Sequence, residues 1–247
     1  MRNIKLTIQY DGTKYKGWQK LGNETNTIQS KIEKVLSEIT GDEIELIGSG
    51  RTDAGVHAYN QIANFKTNCK TSNEKILEHC YRYLPLDIVV KNAEDVKDNF
   101  HSRYNAIEKV YTYKIYNNTT HDVFKRKYSY HIKEELDIEK MREAALLFIG
   151  KHDFKSFTAL KSKKKSTVRE IYSIDIIKNN NNLDIVFKGN GFLYKMVRIL
   201  VGTLVEVGLR KITLNDISLI MEQKDRSMAP PTAPAHGLFL SNVIYQD

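Results

Sequence analysis

The order in which hydrophobic periodicity changes along this chain restricts its fold more than any other feature. Ile4, Leu6, Ile8 and Tyr10 alternate with polar residues, the period of a strand with one buried face. Ile28, Ile32, Val35, Leu36 and Ile39 then recur at helical spacing, with Asn26 and Gln29 placed as an N-cap pair and Gly41 as the stop. Residues 43–48 and 61–66 read as strands. Ile76, Leu77, Cys80, Tyr81 and Leu84 read as a helix ended by Pro85, and Ile88-Val89-Val90 as a short strand. The order is β-α-β-β-α-β.

The same order returns further on. Tyr111, Tyr113 and Ile115 alternate with Val110, Thr112 and Lys114 in a strand over about 109–116. A helix after Asp137 carries Met141, Ala144, Ala145 and Phe148. Strands follow near 171–177 and 183–188, then a long apolar helix over 192–207, a helix over 214–223 and a last strand over Leu238–Tyr245. Two such units predict an α+β fold of two ferredoxin-like (RRM-like) halves, residues 1–105 and 106–247. The halves join around a central antiparallel sheet with a cleft between them, and that cleft is the natural place for a substrate. A length of 247 residues suits this division.

Charge sets the class of partner. Lys and Arg number 38 against 30 Asp and Glu, a net +8, which suits a polyanion and nucleic acid before membrane. Cys69 and Cys80 are the two cysteines, too few for a zinc site or a disulfide framework. Met1-Arg2-Asn3-Ile4-Lys5 lacks a signal-peptide core, and no apolar run nears the roughly 20 residues that span a bilayer. The chain reads as cytoplasmic, with no membrane partner.

The stretch richest in chemical signal is Gly48-Ser49-Gly50-Arg51-Thr52-Asp53-Ala54-Gly55-Val56-His57, between two strands. Gly50 and Gly55 permit a tight path that presents one carboxylate. It lacks the terminal Lys and Ser/Thr of a phosphate-binding loop, and Asp53 with His57 makes too few ligands for a metal. Asp-Ala-Gly is also ordinary turn chemistry, so on loop composition alone Asp53 reads first as a turn residue. Arg51 argues the other way, since a nearby guanidinium keeps a carboxylate ionised.

Gly50-Arg51-Thr52-Asp53-Ala54-Gly55-Val56-His57-Ala58 resembles the signature of the tRNA pseudouridine synthase A family. Tyr10-Asp11-Gly12-Thr13-Lys14-Tyr15-Lys16-Gly17-Trp18-Gln19 resembles the family's opening segment. Phe100 to Ala106 with Lys109-Val110-Tyr111-Thr112-Tyr113 resembles its central tyrosine motif. Gly191 to Arg198 with Gly202 resembles its C-terminal helix motif, and Gly237-Leu238-Phe239-Leu240 its last strand. Thr112 stands where the family often has a basic residue, and Tyr81-Arg82-Tyr83 where it often has asparagines before Leu-Pro.

The resemblance implies a cofactor-free isomerase that converts uridine to pseudouridine at positions 38, 39 and 40 of the tRNA anticodon stem-loop, working as a homodimer. It implies that Asp53 is the catalytic carboxylate, as nucleophile at C1′, as base at C2′ or by attack at C6. It further implies that Arg198 pairs with that carboxylate and that Tyr111 stacks on the target base. Arg51 binds RNA phosphate or positions the loop. Lys161, Lys163, Lys164, Lys165 and Arg169 form a basic run suited to phosphate contact, with Lys125-Arg126-Lys127 a weaker equivalent. His57 and His101 read as structural or RNA-facing. Rival readings fit less well. A non-catalytic RNA-binding protein leaves Arg51-Thr52-Asp53 without a purpose, and a deaminase requires H-x-E and P-C-x-x-C, which are missing. A pseudouridine synthase with another RNA target is the remaining alternative.

Overall fold

The computed structural model describes residues 1–22, 24–160 and 166–246. They form a mixed α+β structure whose sheet is mostly antiparallel, with five α-helices among the described residues. They fall into two compact units: residues 1–107 together with those from Phe239 on, and Glu108–Leu238.

The first unit runs β1 (Arg2–Tyr10), α1 (Ile28–Thr40), β2 (Ile47–Gly48), β3 (His57–Thr67), α2 (Asn73–Tyr83) and β4 (Ile88–Val96). β1 pairs antiparallel with β3 on one side and β4 on the other, and β2 pairs antiparallel with β3. Ile4, Leu6 and Ile8, fully buried, carry the alternation expected of β1, and Ile28, Ile32 and Leu36 press the apolar stripe of α1 into the same core. Ile88, Tyr10 and Ala58 lie in one row across β4, β1 and β3, a span of about 10 Å at the usual strand spacing. The chain leaves or enters all three strands at that row, so the loops 11–18, 49–56 and 84–87 emerge side by side.

The second unit carries β5 (Ala106–Asn117), β6 (Tyr130–Ile132), α3 (Ile138–Leu146), β7 (Gly150–Asp153), β8 (Val168–Asn179), β9 (Asn182–Gly189), α4 (Met196–Gly208) and α5 (Leu214–Gln223). β9 lies between β5 and β8, β7 pairs with β8, and β6 pairs parallel with β5. The last strand, β10 (Leu238–Tyr245), pairs parallel with β3 at Phe239–His57 and Leu240–Ala58. A division at 105/106 therefore meets a structure in which the residues of β10 from Phe239 on sit in the first unit.

Several sequence expectations are corrected by where backbone hydrogen bonds go. The N-cap of α1 is Thr27, which accepts from Ser30 N. Asn26 instead donates to Lys14 O, and Gln29 accepts from Lys20 N. Gly41 does end the helix, at φ +74°. Only Ile47–Gly48 of 43–48 is strand, because Ile44 N and Leu46 N bond the side chains of Ser37 and Glu33 on α1 rather than a neighbouring strand. The apolar stretch from 192 becomes helical only at Met196. Tyr194 O accepts from Ala159 N and Thr158 Oγ1, and Lys195 at φ +60° turns the chain into α4. Phe148 lies beyond the end of α3 and is fully buried there. No described helix is long and apolar enough to cross a membrane.

Candidate active site

Asp53 lies in the loop that joins β2 to β3, and the loop is anchored at each step. Ser49 N donates to Ile62 O at 2.7 Å, Ser49 Oγ to Gln61 Oε1 at 2.7 Å, and Gln61 Nε2 to Gly50 O at 2.8 Å. Thr52 is buried, its hydroxyl 2.8 Å from the Tyr10 hydroxyl, and its carbonyl accepts from Trp18 N at 3.1 Å. Val56 N donates to Asp53 O at 3.1 Å and closes a turn that contains Gly55 at φ +77°. The turn reading of Asp-Ala-Gly therefore holds for the backbone. On either side of the buried Thr52, Arg51 is exposed and Asp53 half-buried.

Residues 11–18 form a strap along this loop. Tyr15 O accepts from Gly55 N at 3.4 Å. Gly17 has φ +102°, and a Cβ there would stand 2.6 Å from Thr52 O, so no larger residue lets the strap close on the loop. Below, the buried His57 stacks on Phe239 at 4.7 Å, with Nδ1 3.1 Å from Gly12 N and 3.0 Å from Asp11 Oδ1. Protonated, Nδ1 donates to Asp11; unprotonated, it accepts from Gly12. Its burial makes His57 structural rather than RNA-facing. The strap is held from its far side by Asp87, which takes Asp11 N on its carbonyl and the Tyr15 hydroxyl on its carboxylate. Burial, and then Asp87, push the Tyr15 phenol well above its ordinary range. The opening motif thus braces the Asp53 loop. Its signal in the sequence was the Gly12–Gly17 spacing ahead of Trp18, whose purpose only the fold discloses.

In the second unit, Tyr111 lies on β5 at 7% exposure, and Phe192 meets it edge-on at 5.3 Å. Tyr113, two residues on and on the same face, donates to Pro234 O at 2.8 Å. Burial drives its hydroxyl far upward, an effect the Arg198 charge opposes. Arg198 is half-buried in the first turn of α4. Its Nε donates to Ala233 O at 2.8 Å, and Ala233 N returns a bond to Arg198 O at 3.0 Å. Two consecutive carbonyls thus tie Arg198 and Tyr113 to one segment. His236 nearby is held below its ordinary value by burial and by the same guanidinium.

Lys163, Lys164 and Lys165, with Lys161, lie outside the described residues. Arg169 from the same run is described and folds back onto Ser166 O and Val168 O. In the weaker run, Lys125 sits 4.3 Å above the Tyr116 ring and Arg126 bonds Val123 O. Among the described residues no three His, Cys, Asp or Glu side chains gather as a metal set.

A sequence profile of the tRNA pseudouridine synthase family matches residues 6–105 and 144–246. The chain is similar to tRNA pseudouridine synthase A 2 of Bacillus cereus, 51% identical over 245 residues, 99% of this chain and 100% of that one. It is 53% identical to tRNA pseudouridine synthase A of a Bacillus species, over the same shares of each chain. With tRNA pseudouridine synthase A 1 of Clostridium tetani the identity is 51%, again over 99% of this chain and all of that one.

Proposed function

We propose, since the chain belongs to the tRNA pseudouridine synthase family, that it isomerises uridine to pseudouridine in transfer RNA, at positions 38, 39 and 40 of the anticodon stem-loop. The observation that carries this reading is end-to-end similarity to such synthases in a chain whose Arg51-Thr52-Asp53 loop is cross-braced on both sides. The reaction breaks N1–C1′, turns the uracil over and joins C5 to C1′, while the C5 proton is lost and N1 gains one. Atoms and electrons balance within the substrate, so the proposed chemistry needs no cofactor. It needs an ionised, oriented carboxylate.

Asp53 is that carboxylate in this proposal, acting at C1′, C2′ or C6. Arg198 supports its charge, in keeping with a guanidinium already oriented by Ala233 O. Tyr111 takes the flipped uracil against an aromatic corner shared with Phe192. Arg51, exposed beside Asp53, and Lys163, Lys164 and Lys165 contact RNA phosphate. The finer fold reading, two ferredoxin-like halves, belongs to the same proposal. The strand order β4-β1-β3-β2 of the first unit, antiparallel at each step, supports it. The assembly as a cytoplasmic homodimer acting on tRNA is likewise part of the proposal. The test is pseudouridine mapping after purified protein is incubated with unmodified tRNA transcripts in the presence of chelator. The reading expects conversion within the anticodon stem-loop. Conversion only elsewhere overturns the positions, and no conversion overturns the activity.

A further inference from the structure

The row formed by Ile88, Tyr10 and Ala58 places the turn between α2 and β4 beside the strap that braces Asp53. That turn carries the most exposed large apolar side chain among the described residues, Leu86 at 108%, and follows Tyr83, the last residue of α2, at 55%. Exposed apolar groups together at a sheet end signal an interaction surface more often than scattered ones do. A second observation points the same way. The His79 ring lies 4.4 Å from Tyr83, and its Nε2 is covered yet has no hydrogen-bond partner. The His79 ring thus backs the aromatic surface that Tyr83 presents. Next to Leu86, Asp87 is occupied by Tyr15 and by Lys14, whose ammonium stands 3.8 Å away and is largely exposed.

We propose that Tyr83 and Leu86, with His79 and Lys14 at their edges, form a stacking platform for unpaired nucleotides of the RNA whose uridine reaches Asp53. The proposal rests on the function argued above. An RNA stem-loop is broader than the roughly 10 Å row that separates this turn from the start of β3, so RNA seated at Asp53 lies over the turn as well. A tyrosine ring stacks on any base, so the platform needs no base-specific hydrogen bond. Lys14 adds a phosphate contact. Tyr81, more exposed still, lies about 200° around the helix from Tyr83 and serves as an internal control.

The experiment measures binding and single-turnover pseudouridine formation on an unmodified tRNA transcript. Five proteins are compared: the parent, a Tyr83→Ala/Leu86→Ala double variant, Tyr83→Phe, Leu86→Ala and Tyr81→Ala. The expected result for the double variant is a Kd and KM raised roughly tenfold, the scale of one lost base stack, with the loss in KM rather than in the rate at saturation. Tyr83→Phe keeps the ring and should bind like the parent, and Tyr81→Ala should change Kd less than twofold. Leu86→Ala alone, at a fully exposed position, guards against a folding defect. Parent-like binding by the double variant overturns the platform, as does equal weakening by Tyr81→Ala. A change in sedimentation with RNA affinity intact assigns the surface to a second copy of the chain and also overturns it. A parent that binds tRNA without converting it removes the activity, while the titration still reads the platform.

Discussion

The two units hold their proposed site residues by different means. In the first, Asp53 sits in a loop with no regular structure, and its position is set by Tyr10, Trp18, Gln61 and the strap at Gly17. In the second, Tyr111 and Arg198 sit on a strand and a helix, and each inherits its direction from a repeating backbone. A loop needs many bonds from distant segments to reach the precision that an element supplies by itself. Chemistry placed on a loop therefore spreads its sequence requirements widely, and chemistry placed on an element keeps them local.

The largest effect that tests this contrast is at the reacting group. Asp53→Asn preserves shape and removes the anion, so single-turnover conversion should fall on the order of 10³-fold or more. Thermal stability and tRNA affinity should stay close to the parent's. Near-normal conversion would return Asp53 to the role of a turn residue. Arg198→Ala should lower turnover by roughly 10²-fold, while Arg198→Lys keeps the charge without the fork and should recover part of it. Equal loss in both variants would show that geometry, not charge, is what Arg198 supplies.

A matched pair of glycine substitutions separates bracing from packing. Gly17→Ala meets Thr52 O at 2.6 Å and should reduce turnover more than its cost in stability explains, because the strap moves off the loop. Gly208→Ala, at the opposite end of α4 from Arg198, meets Met141 Sδ at 2.7 Å. It should cost about 1–3 kcal/mol of stability, read in denaturant melts, with turnover of the folded fraction nearly kept. Similar activity losses at both sites would erase the contrast.

The smallest effect concerns the surface. Arg2, followed by Asn73, holds the Asp95 carboxyl at about 2, against roughly 3.9 in an unfolded chain. A lowered folded value stabilises above the unfolded one and is lost as pH falls, here between about 4 and 2. The pair is half exposed, so Asp95→Asn should change stability at neutral pH by at most about 0.5 kcal/mol, and the difference should vanish near pH 2.

Legibility in the sequence followed the same division. The alternation of β1, the stripe of α1 and the apolar face of α4 were readable because period and burial coincide over nine or more residues. β6 and β7, three and four residues long, give no period to read. Residues 43–46 alternate like a strand but bond side chains of α1, a tertiary choice that local pattern does not contain. Asp53, Tyr111 and Arg198 were proposed as site residues through motif resemblance. Asp87, which secures the strap, was not, since a lone Asp after Leu-Pro-Leu looks like any turn residue until Tyr15 is seen beside it.

The parallel pairing of β10 with β3 bears on how the protein comes into being on the ribosome. Strands β1 to β4 emerge first, yet the edge of β3 at His57 and Ala58 receives its neighbour only after the whole of Glu108–Leu238 has been made. Contacts of such long sequence separation form slowly and late. Phe239, which stacks under His57, and Tyr245, whose hydroxyl donates to Ser102 O, arrive together with it. The first unit is thus begun early and closed last, and a nascent chain carries an unfinished floor beneath the Asp53 loop until its final strand is released.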